Sequence, residues 1–346
     1  MSIQDYIRHD QKKRFLLFPK NEAGIALFLV LWVLTLLTVI VGEFCHAMRT
    51  EVKITRNFKE ETEAYYIAVA GLNMAISELI KSRTGHPSLE ENISEEDQIE
   101  WRINADIPEV PFGNGRFKVK IENESSKINI NRADRPLLTM MLDRFDLEDT
   151  EKEIIADSIL DWRDRDKFHH VNGAEDEYYF SLPEPYECKD ADFDSVDELL
   201  LVRGVTPEIF HGKLREMITV YADSDAAGSA KKKNRKGFNK ININAAGPEM
   251  IGSLPLMTEE LVKEIMLYRK EKDFKTLTEL FPILGAEVYN AAVPYLTLKS
   301  SSFHTIRSVG MSGEGNIRRG VEALIEIDMK SDKKYRIVKW MDNFGT

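Results

Sequence analysis

Charged and apolar residues are mixed through most of the chain, but twenty consecutive residues from Ala23 to Gly42 carry no charge, with Glu22 and Glu43 closing the run. A helix rises about 1.5 Å per residue, so such a run covers roughly 30 Å, the thickness of a bilayer's hydrocarbon core. A helix that is apolar on every face is seldom the core helix of a soluble domain. The pattern therefore predicts a transmembrane helix over 25–44. Beyond it, Ile54, Phe58, Tyr65, Ala68, Leu72, Ile76 and Leu79 recur at intervals of three, four or seven with polar residues opposite. That period extends the helix over 45–82 as an amphipathic half meant to lie on a sheet. Gly85 and Pro87 are its stop signals.

The period then changes. Residues 88–112 are acidic and irregular, and Gly115–Glu122 alternates apolar with polar, as a half-buried strand does. Tyr295–Lys299, Phe303–Val309, Val321–Ile327 and Tyr335–Trp340 alternate likewise. Residues 83–131 and 296–346 are thus expected to form one antiparallel sheet against the long helix. The pentad Lys127-Ile128-Asn129-Ile130-Asn131 recurs as Lys240-Ile241-Asn242-Ile243-Asn244, and helical sequence follows each copy. This internal repeat marks residues 132–295 as an all-helical insertion between the first strand and the last ones. The expected fold class is α+β. The Ser, Gly, Asn and Lys content of 222–239 reads as a mobile loop.

Arg8, Lys12, Lys13, Arg14 and Lys20 precede the apolar run. Such a basic bias keeps the N-terminus cytoplasmic and sends the rest of the chain outward. The small residue Gly24 lies before the apolar run, so cleavage there would leave the helix on the mature chain. A basic leader, a Gly, then Ile25-Ala26-Leu27 and a long apolar helix resemble the type IV pilin and pseudopilin families. The resemblance implies a leader over 1–24, cut between Gly24 and Ile25 by an inner-membrane prepilin peptidase. It also implies a pilin-like fold. Most members carry Glu at the fifth mature position, which here is Leu29. In that departure, and in Leu31-Trp32-Val33-Leu34, the chain resembles the K-type minor pseudopilin family of type II secretion systems. A Glu in lipid is costly unless paired with a neighbouring subunit's terminal amine. A subunit without it suits the end of a filament.

Composition narrows the picture. The net charge of −11 argues against nucleic acid as a main partner. Two cysteines, Cys45 at the membrane surface and Cys188 far along the chain, are not expected to pair. Phe44 before Cys45 makes a poor lipidation site. Within residues 157–198, fourteen Asp and Glu face four Lys and Arg, so nearly all the net charge lies in one segment. A charge run usually means a solvated face. Here Trp162, Tyr178, Tyr179, Phe180 and Tyr186 interleave with the carboxylates, and packed carboxylates repel unless a cation joins them. Asp161, Asp164 and Asp166 lack EF-hand spacing. Asp164 and Asp166 from one loop with Glu175 and Asp176 from another fit a two-loop calcium site better. The Asp-Trp-x-Asp-x-Asp and Gly-Ala-Glu-Asp-x-Tyr-Tyr series also resembles the calcium-bearing helical insertion of the K-type family. The adjacent His169 and His170 make a poor chelating pair and are expected to be exposed.

The second repeat resembles helix-hairpin-helix modules of competence and repair proteins, which grip phosphate through a Gly-rich hairpin. Leu256-Met257-Thr258 fills that hairpin here, without glycine. A membrane-anchored DNA-binding protein is therefore the alternative class. No nucleophile–base pair, phosphate loop or zinc spacing stands out, so no enzyme is expected. The implied role is a minor pseudopilin at the tip of the pseudopilus. It would initiate assembly with the I- and J-type minor pseudopilins, contact the major pseudopilin, and act in export of folded proteins. Its place would be the inner membrane, single-pass, with a periplasmic C-terminal domain. Gly24→Leu is expected to block leader removal, leaving the intact N-terminus in place of one starting at Ile25 when the membrane-purified protein is sequenced.

Overall fold

The computed structural model describes residues 22–84, 101–104, 107–221, 240–313 and 317–342. Residues 1–21 of the expected leader and the loop over 222–239 lie outside them. Helix α1 spans Glu22–Thr84, and the chain divides within it into two units, residues 1–59 and 60–346. In the first unit the helix is long and apolar enough to cross a membrane, and its side chains from Gly24 on are exposed along its whole length. The Gly24–Ile25 bond lies in its first turn, and Leu29 is one turn further on. Ile54 and Phe58, expected on a sheet-facing stripe, are exposed here too.

In the second unit, Ala64, Ile67, Ala68, Leu72, Ala75, Ile76 and Leu79 of α1 are buried against a five-stranded antiparallel sheet. Its strands are β1 (Val110–Phe112), β2 (Gly115–Asn123), β7 (Phe303–Ser312), β8 (Ile317–Ile327) and β9 (Tyr335–Asp342), in that spatial order. Alternation decides which side chains meet the helix: Phe117, Val119, Ile121, Ile306, Val321, Ala323 and Ile325 are all fully or almost fully buried. The approach is close because both sides are small. A Cβ at Gly310 would collide with the α1 backbone at Ala64 and Ala68, and one at Gly71 would collide with the Phe117 ring. β1 adds a strand inside the stretch read as irregular. It is three residues long and contains Pro111, which leaves no alternation to read.

The helical region departs from the expectation at both ends. Ile128–Asn129 (β3) and Leu296–Thr297 (β6) were placed with the large sheet. Instead β3 pairs in parallel with Ile218–Thr219 (β4), and β6 pairs in parallel with Ile241–Asn242 (β5). Each pentad therefore opens a module that a return strand closes, and the insertion is not all helical. The two modules share their internal fastenings. In the first, Asn131 Nδ2 donates to the Phe193 carbonyl at 2.9 Å, and the Phe193 N–H donates to Asn131 Oδ1 at 2.7 Å. In the second, Asn244 and Phe274 do the same, both at 2.9 Å. Arg163 donates to the carbonyls of Ile130 and Ala133, and Arg269 to that of Ala246. Capping boxes follow at Ser195/Glu198 and Thr276/Glu279, and six residues after each Glu comes a glycine with positive φ, Gly204 at 85° and Gly285 at 71°. Leu256 takes a left-handed backbone (φ 60°), a conformation that favours glycine.

Asn123 ties the modules to the sheet. It is fully buried, and its amide donates to the carbonyls of Ser301 (2.9 Å) and Phe303 (3.3 Å) while its oxygen accepts from Ser301 N–H (2.9 Å). The chain thus leaves and re-enters the sheet at one hydrogen-bonded point. Gly310→Val is expected to destabilise the 60–346 unit by about 1–3 kcal/mol, the usual cost of overpacking a close contact, read as a lower urea midpoint.

Candidate metal centre

The acidic segment is an insertion into the first module. Twenty-nine residues separate Arg163 from Phe193, whereas four separate Arg269 from Phe274. After α2 (Arg135–Leu142), helix α3 (Asp149–Arg163) delivers Asp157, Asp161 and Trp162 on its last turns, and the short helix α4 (Asp176–Phe180) carries Tyr179. The inserted aromatics build a small core of their own. Trp162 meets Tyr179 edge-on at 5.3 Å and Phe193 at 6.4 Å, and Tyr179 lies 5.2 Å from Tyr186. Arg203 lies over the Tyr178 ring at 4.7 Å and donates to the Gly173 carbonyl at 3.0 Å.

That core draws carboxylates inward. Asp157 is buried and paired with Arg135 at 2.6 Å, and it also accepts from Asn172 N–H. Asp161, fully buried, accepts from the His170 N–H at 3.0 Å and from the His170 imidazole. Gly173 passes so close that any Cβ would collide with the Asp161 carboxylate. Glu175 is only 6% exposed, yet neither of its side-chain oxygens has a hydrogen-bond partner, and Asp190 Oδ1 shares that state. Asp161, Asp164 and His170 can bring ligand atoms within 4.8 Å of one another, and so can Glu175, Cys188 and Asp190. Burial first, then the charges of Asp190, Asp161 and Asp164, push the Glu175 carboxyl up to about 7.

Of the five residues singled out from the sequence, Asp161 and Asp164 come together in one group and Glu175 joins the other. Asp166 and Asp176 are in neither. Asp166 is exposed and accepts from the Phe168 N–H at 3.0 Å. Asp176 pairs with Lys167 at 2.5 Å and accepts from Cys188 N–H, and the lysine holds its carboxyl below the usual range. His169 and His170 are both exposed, as expected, but the His170 ring is fastened to Asp161. Asp190 escaped notice because it follows Asp176 by fourteen residues and only the fold returns it.

The donor chemistry favours a hard cation. Burial pushes the Cys188 thiol up to about 12 in the metal-free chain, so binding a metal through it would first cost a proton. What remains is carboxylate oxygen from Asp161, Asp164, Glu175 and Asp190, the kind that calcium takes. A buried Glu175 without a hydrogen-bond partner, beside a half-buried Asp190 whose Oδ2 lies 3.4 Å from Lys167 Nζ, is costly as it stands, and a divalent ion between the two would remove that cost.

A family model described as type II secretion system (T2SS), protein K, matches residues 117–223, a span that runs from β2 to the end of the first module and includes the acidic insertion. Over that span the chain is similar to the protein K family of type II secretion. A relative from Aeromonas hydrophila named type II secretion system protein K is 24% identical over 213 residues, covering 55% of this chain. One of the same name from Pectobacterium carotovorum subsp. carotovorum is 26% identical over 104 residues, 30% of this chain. The chain spans 61% of the length of the first relative and 31% of the second. The fold matches a chain in the crystal structure of the GspK-GspI-GspJ complex from the enterotoxigenic Escherichia coli type 2 secretion system. The TM-score is 0.55 at 18% identity, and the match covers 83% of this chain and 98% of that one.

The sign of the pH response follows from Glu175. Its folded-state pKa lies above the ordinary value of 4.5, so ionisation favours the unfolded chain. Without metal, the contribution of Glu175 to stability is expected to be full below about pH 4.5 and to be lost as pH rises through about 7. Glu175→Gln is expected to abolish this pH dependence, because the amide has no charge to bury. Chemical unfolding across pH in EDTA checks both.

Proposed function

We propose that this chain is a minor pseudopilin working at the tip of the type II secretion pseudopilus. The protein K match over residues 117–223 carries the reading, because it falls on the module that holds the acidic insertion. In this reading the prepilin peptidase cuts between Gly24 and Ile25, and α1 stays in the inner membrane as anchor and polymerisation handle. The N-terminus faces the cytoplasm and the 60–346 unit faces the periplasm. Leu29 leaves the chain without the carboxylate that would pair with the terminal amine of a subunit ahead. The two modules add bulk that a helical stack of subunits leaves no room for, so a terminal position follows. I- and J-type minor pseudopilins are the partners for initiation, since the structure sharing this fold is a complex of K with I and J. The major pseudopilin would extend the filament from below, and the assembly would act in export of folded proteins.

Calcium is the proposed cofactor, held by Asp161, Asp164, Glu175 and Asp190. It would neutralise the buried carboxylates and fasten the insertion to the end of α3. Calcium at about a hundred times its Kd is expected to raise the melting temperature by about 5–10 °C. EDTA should reverse the rise, and no response at all would sink the cofactor. For the assembly itself, purification of the full chain co-produced with its I- and J-type counterparts is expected to yield a ternary complex. Recovery of the chain alone, with partners present and folded, would count against the tip reading.

A further inference from the structure

The loop that follows α3 brings a cation of its own to the acidic centre. Lys167 Nζ lies 2.5 Å from Asp176 Oδ2 and 3.4 Å from Asp190 Oδ2, so one ammonium joins two carboxylates fourteen residues apart. Their second oxygens differ. Asp176 Oδ1 accepts from the Cys188 N–H at 2.9 Å, whereas Asp190 Oδ1 is buried without a hydrogen-bond partner. Asp190 thus gives one oxygen to the lysine and keeps the other buried, in the group that also holds Glu175. The other basic residues between Asp157 and Glu198 are placed differently. Arg163 donates to the carbonyls of Ile130 and Ala133, Arg165 is exposed, and Lys189 pairs with Asp194 and Glu198 at 2.7 Å each.

We infer that Lys167 is a built-in competitor for the divalent cation, pairing with Asp190 and so setting the calcium concentration at which the centre fills. The inference rests on the calcium reading of the centre. The lysine side chain is 66% exposed, so its ion pairs contribute little to stability. Its weight lies in where the charge stands. A positive charge beside a ligand carboxylate opposes an arriving divalent ion. At 3.4 Å it also engages an oxygen that bidentate coordination of calcium would use. The stem of Lys167 is flexible, so the ammonium can leave Asp190 and still hold Asp176. A lysine that merely propped the loop would act the other way, because its removal would spoil the centre and weaken binding. The two roles differ in sign.

The test is calorimetric titration of calcium into the full chain in detergent, stripped with EDTA and dialysed, beside three variants. Lys167→Met keeps most of the stem and drops the charge. Its Kd for calcium is expected to be about tenfold lower, the size of one unit charge acting on a divalent ion a few ångströms away through water. Lys167→Arg keeps the charge and should not tighten binding. Lys189→Met removes an equal charge next to Asp190 in sequence, but from other carboxylates, and should leave the Kd near that of the unaltered chain. Nearly equal melting temperatures in EDTA confirm that all four proteins are folded. A Kd that is unchanged or raised in Lys167→Met overturns the inference. Equal tightening by Lys189→Met overturns it too, since the effect would then be one of net charge alone. An unaltered chain that takes up no calcium removes the cofactor and its competitor together. Calcium uptake that Lys167→Met fails to improve removes the competitor and leaves the cofactor standing.

Discussion

One asparagine amide closes each helical module. Asn131 and Asn244 each use donor and acceptor together on the backbone of a single distant residue, Phe193 or Phe274. A buried backbone hydrogen bond contributes about 0.5–1.5 kcal/mol net, and an orphaned group costs about 1–3. The two-point contact therefore holds the residue after the intervening segment in place whatever that segment contains. With Arg163 or Arg269 bracing the carbonyls of the pentad, the ends of the segment are fixed by the module itself. The acidic insertion could thus gather its own aromatic core and its own strained carboxylates without disturbing the fold around it.

A second constraint governs the sheet. Ala64, Ala68, Gly71 and Ala75 on α1 face Gly310, Ser308 and Phe117, and only small residues permit that spacing. The helix that reads as a membrane anchor at one end is, at the other, a fixed part of the sheet's core. Asn123 then joins sheet and modules at the point where the chain crosses between them.

The parts of this architecture that were legible in the sequence are those with strong periodicity. The apolar run, the amphipathic stripe of α1 and the alternating strands β2, β7 and β8 stand out because each element repeats its signal over eight or more residues. The pentads exposed the duplication because their asparagines must recur for the bridge to form. What was misread had no local signal. β1 is too short, and β6 alternates like its neighbours but finds its partner in β5, which only the closed module brings near. The candidate site was half legible for the same reason. Asp161, Asp164 and Glu175 lie close in sequence to the aromatics that bury them, whereas Asp190 reaches Glu175 only through the fold. Asp166 and Asp176 matched the expected spacing, but a loop N–H and Lys167 had already claimed them.

The second module closes the same bridge over four residues that the first closes over 29. Since loop closure costs only about 0.6 kcal/mol per doubling of length, the short crossing between Arg269 and Phe274 is a ready socket. A foreign peptide, an epitope or a sensor grafted there would begin and end at points already held together, and would displace only the bonds that Arg102 makes to Arg269, Lys270 and Asp273.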